Sequence, residues 1–450
     1  MKKVITYGSF DLFHEGHYNL LKRAKELGDY LIVGVTTEQY DEYRGKLNVI
    51  DSLMERIENV RRTGFADEII VEDHVGQKVE DIQKYNIDIF VVGSDWKGKF
   101  DYLKQYCEVV YLERTKGISS TMLRNKKYNI VRLGVIGSGR IAKRFAPEVK
   151  YVSGVNLEGV FNPNIESAKS FAEQFELKFY TNDIDDFFSK IDAVYIASPH
   201  KTHYDYIIKA LHNNKHVLCE KPMVLSAKQS QEVFNIAKEK NLVLMEGIKT
   251  AYCPGFSKLL SIAASGKIGE IKDVEATFTK LVSGNVRELN FEEIGGSVTE
   301  LASYPLLAIF KLLGLNYEDI KFYSFRDENG VDLYTKIIMK YKDAIATAKV
   351  GLGVKSEGSL LISGTNGYIY VEAPWWKTQH FEIKYEDAEE NEKFFYKFAG
   401  EGLRYELSDF ISTINGNMKK VHKLTEKEST AIAEIIEKFI NKNNLVDMKY

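Results

Sequence analysis

Two histidines stand three residues apart where a short apolar run gives way to a helical pattern. The segment GSFDLFHEGHYNLL places His14 and His17 just after this run. Because residues i and i+3 share a helix face, both imidazoles can point to one place above the helix N-terminus. Free N–H groups and the positive end of the helix dipole favour a bound phosphate there. The alternative is a helix start whose histidines only cap or pack; no third ligand cluster accompanies them to indicate a metal site.

A second segment has the composition of an anion cradle. ERTKGISST, residues Glu113–Thr121, follows the strand-like run EVVYL and brings glycine, hydroxyl residues and Arg114 together. Backbone N–H groups and hydroxyls at a helix start bind anions, although the same pattern also suits an ordinary capped helix. Two such segments at corresponding ends of one parallel sheet predict a phosphate site.

These segments, with the RGK of Arg44–Lys46 and GSDWKGKFD, resemble the cytidylyltransferase family, in particular its glycerol-3-phosphate cytidylyltransferases. The resemblance covers residues 1–125. It implies a Rossmann-like nucleotidyltransferase fold that moves CMP from CTP, with Mg²⁺, to a phosphate monoester and releases pyrophosphate. A monoester is already an anionic nucleophile, so positioning and charge neutralisation are sufficient for this reaction.

The resemblance also implies roles for individual residues. His14 and His17 would hold the triphosphate, and Lys46 and Arg114 would neutralise its charge. The nucleotide- and phosphate-binding residues implied in this way are Gly8, Ser9, Phe10, Asp11, Arg56, Asp95, Gly117, Ser119, Ser120 and Thr121. The acceptor stays open as a sugar or polyol phosphate.

A dinucleotide fingerprint begins near residue 131. VRLGVIGSGRIA gives Gly137-x-Gly139-x-x-Ala142 after an apolar strand and before a helix. The first glycine permits the turn, the second lets a pyrophosphate approach, and the small third residue lets helix and strand pack. The next strand ends at Asn162, where NAD-preferring folds place an acid, so we favour NADP over NAD as cofactor.

Further motifs extend this site. KHVLCEKPM contains Glu220-Lys221-Pro222, and GGSVTELASYP contains Glu300 and Tyr304. With the fingerprint they resemble the Gfo/Idh/MocA oxidoreductase family over residues 130–450. The resemblance implies that Lys221 contacts the reacting substrate oxygen and that Glu300 and Tyr304 complete the catalytic site.

The chemistry of these residue types agrees with that implication. Hydride delivery to a ketone leaves an alkoxide, and Tyr304 beside the Lys221 ammonium could protonate it. The alternative is that Lys221 caps a turn and Tyr304 packs, just as His200 and His203 could be only a helix start. The predicted cofactor-binding residues are Gly137, Gly139, Arg140, Ile141, Asn162, Ser198, His200, His203, Glu220 and Lys221, and Lys249 is predicted to bind a substrate phosphate.

The elements that must position these residues alternate strand and helix up to about residue 250. This pattern predicts two abutting α/β domains with parallel, doubly wound sheets, over residues 1–127 and 130–250. Beyond Ala251, runs of alternating apolar and polar residues predict an α+β domain over 251–450 with a mostly antiparallel sheet. Thr425 and Glu428 form a capping box that predicts a helix start. The adjacent Trp375 and Trp376 should face opposite sides of a strand.

Composition excludes several classes of protein. The 450 residues carry 61 basic and 64 acidic side chains, a net charge of −3 that predicts no nucleic-acid partner. No stretch approaches the roughly 18 apolar residues of a membrane span. The three cysteines are too few for a disulfide framework. We expect a cytoplasmic homo-oligomer, either a dimer or a tetramer.

The sequence therefore predicts an enzyme with two activities, a CTP-dependent cytidylyltransferase fused to a nicotinamide-dependent reductase. If one half feeds the other, a ketose phosphate becomes a CDP-activated polyol. The order of the two steps stays open. Two alternatives also stay open: the second half is a catalytically silent dinucleotide-binding regulatory module, or it reduces an unrelated sugar.

Overall fold

A computed structural model describes residues 1–43, 49, 51–113, 130–416 and 423–449. The chain divides into two compact units, one centred on Met1–Ile130 and the other made of Val131–Lys150 and Val155–Tyr450. The three domain boundaries drawn from the sequence stay a prediction. In the part of the chain that is described, no helix has the length and apolar character needed to cross a membrane.

The first unit is built on a parallel sheet in the order β3-β2-β1-β4-β5. Its elements are β1 (Lys3–Gly8), α1 (Glu15–Lys25), β2 (Tyr30–Thr36), α2 (Glu38–Tyr43), α3 (Leu53–Arg62), β3 (Glu68–Glu72), α4 (Gln77–Tyr85), β4 (Ile89–Gly93) and β5 (Glu108–Leu112). Two apolar clusters bury the sheet, as the uninterrupted apolar strands predict. The strand order reverses between β1 and β4, so the turns after these strands open at one place.

The second unit begins with a six-stranded parallel sheet in the order β11-β10-β9-β6-β7-β8. Its elements are β6 (Val131–Ile136), α5 (Arg140–Val149), β7 (Val155–Phe161), α6 (Ile165–Phe175), β8 (Phe179–Thr181), α7 (Ile184–Ser189), β9 (Ala193–Ile196), α8 (His200–His212), β10 (His216–Glu220), α9 (Ala227–Glu239) and β11 (Leu244–Gly247). This is the doubly wound arrangement that the sequence predicts. The predicted cofactor residues lie at or just after the ends of β6, β7, β9 and β10.

A nine-stranded sheet follows in the order β19-β18-β17-β16-β12-β15-β14-β13-β20. Its strands pair mostly antiparallel, with β12/β15 and β13/β20 as parallel pairs, and this confirms the predicted fold class. The elements are α10 (Pro254–Ala264), β12 (Ile271–Thr279), α11 (Ser297–Leu301), α12 (Ser303–Leu313), β13 (Asp319–Arg326), β14 (Asp332–Lys340), β15 (Ile345–Gly351), β16 (Leu360–Gly364), β17 (Tyr368–Val371), β18 (His380–Lys384), β19 (Glu392–Phe395), α13 (Leu403–Ile414), α14 (Glu426–Ile440) and β20 (Leu445–Lys449).

Of two local predictions for this region, the structure confirms the helix start at Thr425 and contradicts the strand at Trp375 and Trp376. The capping box of Thr425 and Glu428 is confirmed at the start of α14. The strand expected at Trp375 and Trp376 is wrong, because the two residues form a short 3₁₀ turn, Trp375–Lys377. Trp375 is fully buried and its indole N–H donates to the carbonyl oxygen of Thr277 at 2.9 Å. Trp376 instead faces a cavity.

A buried ion pair joins α13 to α5 within the second unit. Arg404 donates twice to Glu148, at 2.8 and 2.9 Å, with each side chain less than a tenth exposed. Paired geometry of this kind offsets the cost of removing both charges from water. The pair therefore fixes α13 against the helix that follows the dinucleotide fingerprint.

Replacing Arg404→Met should leave the Glu148 carboxylate buried without its partner. We expect the free energy of unfolding of the second unit to fall by about 3–5 kcal/mol, measured by urea denaturation followed by tryptophan fluorescence. The control is Arg132→Met, whose pair with Asp192 is about half exposed and should contribute less than about 1 kcal/mol. Equal losses in the two variants would contradict the assignment.

Candidate active sites

A cavity of about 360 Å³ opens where the turns after β1 and β4 meet. Six residues predicted for the first site line it: Gly8, Ser9, Phe10, His14, His17 and Asp95. The cavity therefore lies at the edge of the sheet where parallel α/β folds bind ligands.

The two histidines form one unit at the start of α1. His14 caps the helix, and its Nδ1 accepts a hydrogen bond from the Gly16 N–H at 3.0 Å. Its ring stacks on the ring of His17, with centroids 3.9 Å apart. The predicted shared orientation is thus present, and both imidazoles line the cavity at a helix N-terminus.

Asp11 and Arg56 lie behind the histidine loop, outside the cavity lining. The Asp11 carboxylate accepts the Asp51 N–H at 3.0 Å, and the Asp51 carboxylate accepts the Leu12 N–H at 2.9 Å. Arg56 is fully buried and donates to the Ser9 carbonyl oxygen at 3.0 Å. The structure therefore places Asp11 and Arg56 as supports of the loop and does not bring them to the cavity.

Lys78 adds a cation to this cavity that our sequence reasoning missed. It lies on α4, where it forms an ion pair with the buried Glu72. Its ammonium is 4.5 Å from the centroid of the Tyr7 ring. A lysine in the first turn of an amphipathic helix gives no local signal that it faces a ligand site, so only the tertiary structure identifies it.

Several residues predicted for the first site lie outside the described residues: Lys46, Arg114, Gly117, Ser119, Ser120 and Thr121. Their roles stay predictions. Among the residues with described positions, no group of three or more His, Cys, Asp or Glu side chains could hold a metal ion.

A cavity of about 1520 Å³ lies in the second unit. All the residues predicted for the second site line it: Gly137, Gly139, Arg140, Ile141, Asn162, Ser198, His200, His203, Glu220, Lys221, Lys249, Glu300 and Tyr304. The structure thus brings together side chains that are up to 167 residues apart in the sequence, from Gly137 to Tyr304.

The glycine turn has the geometry that a dinucleotide needs. Gly137 has φ +98°, and a Cβ there would meet the Ala197 carbonyl oxygen at 2.7 Å. A Cβ on Gly139 would meet nothing within 4 Å, which leaves open space above the N-terminus of α5. The Asn162 amide donates to the Ser138 hydroxyl at 2.8 Å. These residues fit a pyrophosphate at the turn and a ribose beside Asn162.

The Lys221 side chain contacts the backbone of Glu300, not its carboxylate. The Lys221 ammonium donates to the carbonyl oxygen of Glu300 at 2.8 Å. The Glu300 carboxylate pairs with Arg287, with the two atoms 2.8 Å apart. Because Arg287 compensates the carboxylate and Lys221 is held by a neutral carbonyl, the ammonium charge remains for a substrate oxygen that becomes negative.

Tyr304 lies on α12, one helix after Glu300 on α11. Pro305 is accommodated because it occupies the first turn of α12, where no intrahelical N–H bond is lost. The Tyr304 ring is 5.1 Å from the ring of Phe278, between centroids. Burial raises the pKa of the Tyr304 phenol, so the hydroxyl is protonated before the reaction.

The two histidines after β9 have different positions. His203 has both ring nitrogens 2.9 Å from carbonyl oxygens, those of Pro222 and Ser198. His203 therefore lies between the turn after β9 and the turn that carries Lys221, and as a neutral imidazole it donates to one of the two carbonyls. Burial lowers the pKa of His203 to about 4, and burial beside the Lys221 charge also lowers the pKa of His200. Both rings are neutral at pH 7.

A pair of buried carboxyl groups lies close to this site. Glu220 accepts a hydrogen bond from the Tyr195 hydroxyl at 2.5 Å. Glu406 on α13 is fully buried, and both of its carboxyl oxygens are 3.5 Å from where a Cβ on Gly247 would lie. Burial, reinforced by the other carboxyl group, raises the pKa of Glu406, while burial raises that of Glu220. Sequence reasoning missed Glu406 because it lies 186 positions after Glu220.

Comparison with protein families gives three matches along the chain. Residues 5–126 match a cytidylyltransferase-like family, and residues 131–248 match an oxidoreductase family with an NAD-binding Rossmann fold. Residues 256–370 match the Gfo/Idh/MocA C-terminal domain.

Individual relatives divide the chain in the same way. A glycerol-3-phosphate cytidylyltransferase from Bacillus spizizenii is 54% identical over 124 residues, which cover 28% of this chain and 95% of the relative. The NADP⁺-dependent scyllo-inositol 2-dehydrogenase of Bacillus subtilis is 26% identical over 318 residues, which cover 68% of this chain and 95% of that enzyme.

The chain belongs to the cytidylyltransferase family, and its residues 131–248 and 256–370 match Gfo/Idh/MocA oxidoreductase domains. It is an enzyme with a cytidylyltransferase half and an NAD(P)-dependent oxidoreductase half. A solved 3-ketoreductase from Actinomadura kijaniata, in complex with NADP and TDP-benzene, shares the fold of the oxidoreductase half. That likeness has a TM-score of 0.65 and 21% identity, and it covers 72% of this chain and all of the other.

In the cytidylyltransferase half, His14→Ala or His17→Ala should remove a hydrogen-bond donor to the phosphates as their charge develops. We expect CTP-dependent pyrophosphate release to slow by about 10²–10³-fold in each variant. His74→Ala is the control, because His74 is half exposed and lies outside the cavity lining. An unchanged rate in the His14 and His17 variants would contradict their placement.

In the oxidoreductase half, the two fingerprint glycines should respond differently to the same substitution. Gly137→Ala introduces a clash with the Ala197 carbonyl, so we expect loss of both thermal stability and NADPH binding. Gly139→Ala has room and should preserve stability, while the methyl group blocks the pyrophosphate and weakens binding by about tenfold, or about 1.4 kcal/mol. Thermal unfolding and NADPH fluorescence titration measure the two effects; full binding by Gly139→Ala would count against this site.

Proposed function

We propose that the chain makes a CDP-activated polyol from CTP, a ketose phosphate and a reduced nicotinamide dinucleotide. The observation that carries the proposal is that one chain contains two cavities, each at the carboxyl edge of its own parallel sheet. One has paired histidines at a helix N-terminus, and the other has a lysine and a tyrosine beside a dinucleotide turn. The two reactions share one intermediate if they act in sequence.

In the cytidylyl-transfer step, an oxygen of the phosphate monoester attacks the α-phosphorus of CTP. A new P–O bond forms, the bond to the β-phosphate breaks, and pyrophosphate leaves. His14 and His17 donate hydrogen bonds to the phosphoryl oxygens, while Lys78, which is paired with Glu72, lines the same cavity. Lys46, Arg114 and the ERTKGISST segment would complete the site, and Mg²⁺ would accompany the triphosphate.

In the reduction step, the nicotinamide supplies a hydride to the ketone carbon when it is bound. Lys221 stabilises the negative charge that develops on the substrate oxygen. Tyr304 donates its phenolic proton to that oxygen, because an alkoxide is a stronger base than a phenolate. Lys249, which is held by the Glu401 carbonyl at 2.8 Å, offers a second ammonium to a substrate phosphate.

NADP is the cofactor that we propose for this step. Asn162 stands where an acidic side chain would repel a 2′-phosphate, and the nearby Arg140 adds positive charge to the cavity. The similarity to an NADP⁺-dependent inositol dehydrogenase, and to a ketoreductase solved with NADP, supports this choice. The inositol dehydrogenase is named for scyllo-inositol, which is itself a polyol.

The rival function is a cytidylyltransferase with a silent dinucleotide-binding module. To separate the two, the full chain is incubated with CTP, Mg²⁺, NADPH and, in turn, dihydroxyacetone phosphate, ribulose 5-phosphate or fructose 6-phosphate. Lys221→Met and Tyr304→Phe should slow NADPH oxidation by about 10²–10⁴-fold, while pyrophosphate release with the corresponding polyol phosphate persists. If the unmodified chain oxidises no NADPH with any of the three ketose phosphates, the rival is favoured. Turnover that both variants retain would show instead that Lys221 and Tyr304 are not the catalytic residues.

A further inference from the structure

The reductase cavity extends well beyond the reacting centre. This cavity of about 1520 Å³ has to hold the dinucleotide as well as the substrate, because the residues predicted to bind each of them line it. From Tyr304 an aromatic wall continues through Phe278, 5.1 Å away, to Trp376, whose ring lies 3.7 Å from that of Phe278 at an interplanar angle of 7°. The wall therefore runs from Tyr304 through Phe278 to Trp376 along the cavity.

Two lysines also line the cavity near the end of β12. Lys280 directly follows β12, whose penultimate residue is Phe278, and both residues line the cavity. Lys355 also lines it, and its ammonium donates to the Thr279 carbonyl at 3.2 Å. Burial and the neighbouring Arg140 and Arg144 lower the pKa of Lys280, while the Glu288 and Glu300 carboxylates act in the opposite direction.

This arrangement matches a nucleoside diphosphate better than a single phosphate. Aromatic side chains stack on nucleobases, and lysines neutralise phosphate groups. The dinucleotide's own pyrophosphate and adenosine ribose belong at the α5 N-terminus and Asn162, so they leave the Trp376 end for another ligand. A ketose phosphate alone would require only Lys249 and the reacting centre.

We propose that the reductase half takes its ketose already linked to a cytidine diphosphate, with Trp376 and Phe278 as the base wall and Lys280 and Lys355 at the pyrophosphate. Cytidylyl transfer then precedes reduction. The carbonyl of a CDP-ketose gains a hydride from the nicotinamide and a proton from Tyr304, and the product is a CDP-polyol. This inference rests on the proposed function and adds the order of the two reactions.

The test compares NADPH oxidation by the full chain with two sets of probes. One set contains dihydroxyacetone phosphate, ribulose 5-phosphate and fructose 6-phosphate without CTP; the other contains the same ketoses as chemically prepared CDP conjugates. We expect kcat/KM for the preferred conjugate to exceed that for its ketose phosphate by about 100-fold. A His14→Ala/His17→Ala double variant should reduce the preformed conjugate at the wild-type rate, since it bypasses the first step.

Substitution of the base wall gives an independent readout. Trp376→Ala should lower kcat/KM for the conjugate by about tenfold to a hundredfold and leave that for the ketose phosphate unchanged. Trp376→Phe should recover most of the loss, and NADPH binding verifies folding. The matched control is Tyr370→Ala. Tyr370 is an exposed aromatic residue on β17 and lies outside the cavity lining.

The outcomes separate the inference from the proposed function. If the ketose phosphate is reduced as well as its conjugate, or better, reduction comes first and the inference is wrong, although the two-activity function stands. If Trp376→Ala lowers both rates equally, the aromatic wall does not recognise the base and the inference is also wrong. If no probe of either set oxidises NADPH, the proposed function itself is wrong.

Discussion

The steric limit at Gly137 is the constraint on which the oxidoreductase half depends. The Ala197 carbonyl oxygen would lie 2.7 Å from any Cβ at this position, so the strand-to-helix turn closes only around glycine. The closed turn points the N-terminus of α5 at open space above Gly139. The other residues predicted to bind the cofactor line the same cavity, because parallel strands bring their carboxyl ends to one edge.

In the cytidylyltransferase half, the loop that precedes the helix is fixed by buried hydrogen bonds and not by a glycine. Its loop after β1 contains Phe10 at φ +50° and Leu12 at φ +49°, conformations that a glycine adopts more easily. The buried Arg56 and the reciprocal hydrogen bonds with Asp51 hold this loop in place. Strain near the histidines is thus offset by a buried polar network behind them.

Charge pairing distinguishes supporting groups from reactive ones in the second cavity. Arg287 is paired with the Glu300 carboxylate, whereas Lys221 and Lys249 each donate to a backbone carbonyl. A carboxylate cancels a cation, while a carbonyl orients the ammonium and leaves its charge to act on a ligand. The two lysines therefore suit a developing alkoxide and a phosphate.

The sequence by itself determined the strand–helix alternation, the antiparallel character of the C-terminal sheet and the motifs from His14 to Tyr304, because local spacing carries those signals. Only the tertiary structure decided that Arg56 supports a loop, that Lys78 and Arg287 face cavities, that Trp376 leaves the core, and that Glu406 lies near Glu220. These positions depend on contacts between distant segments. A single lysine or glutamate on a helix has the same local pattern whether it meets solvent, a ligand or a buried carboxyl group, so its role is set by packing alone.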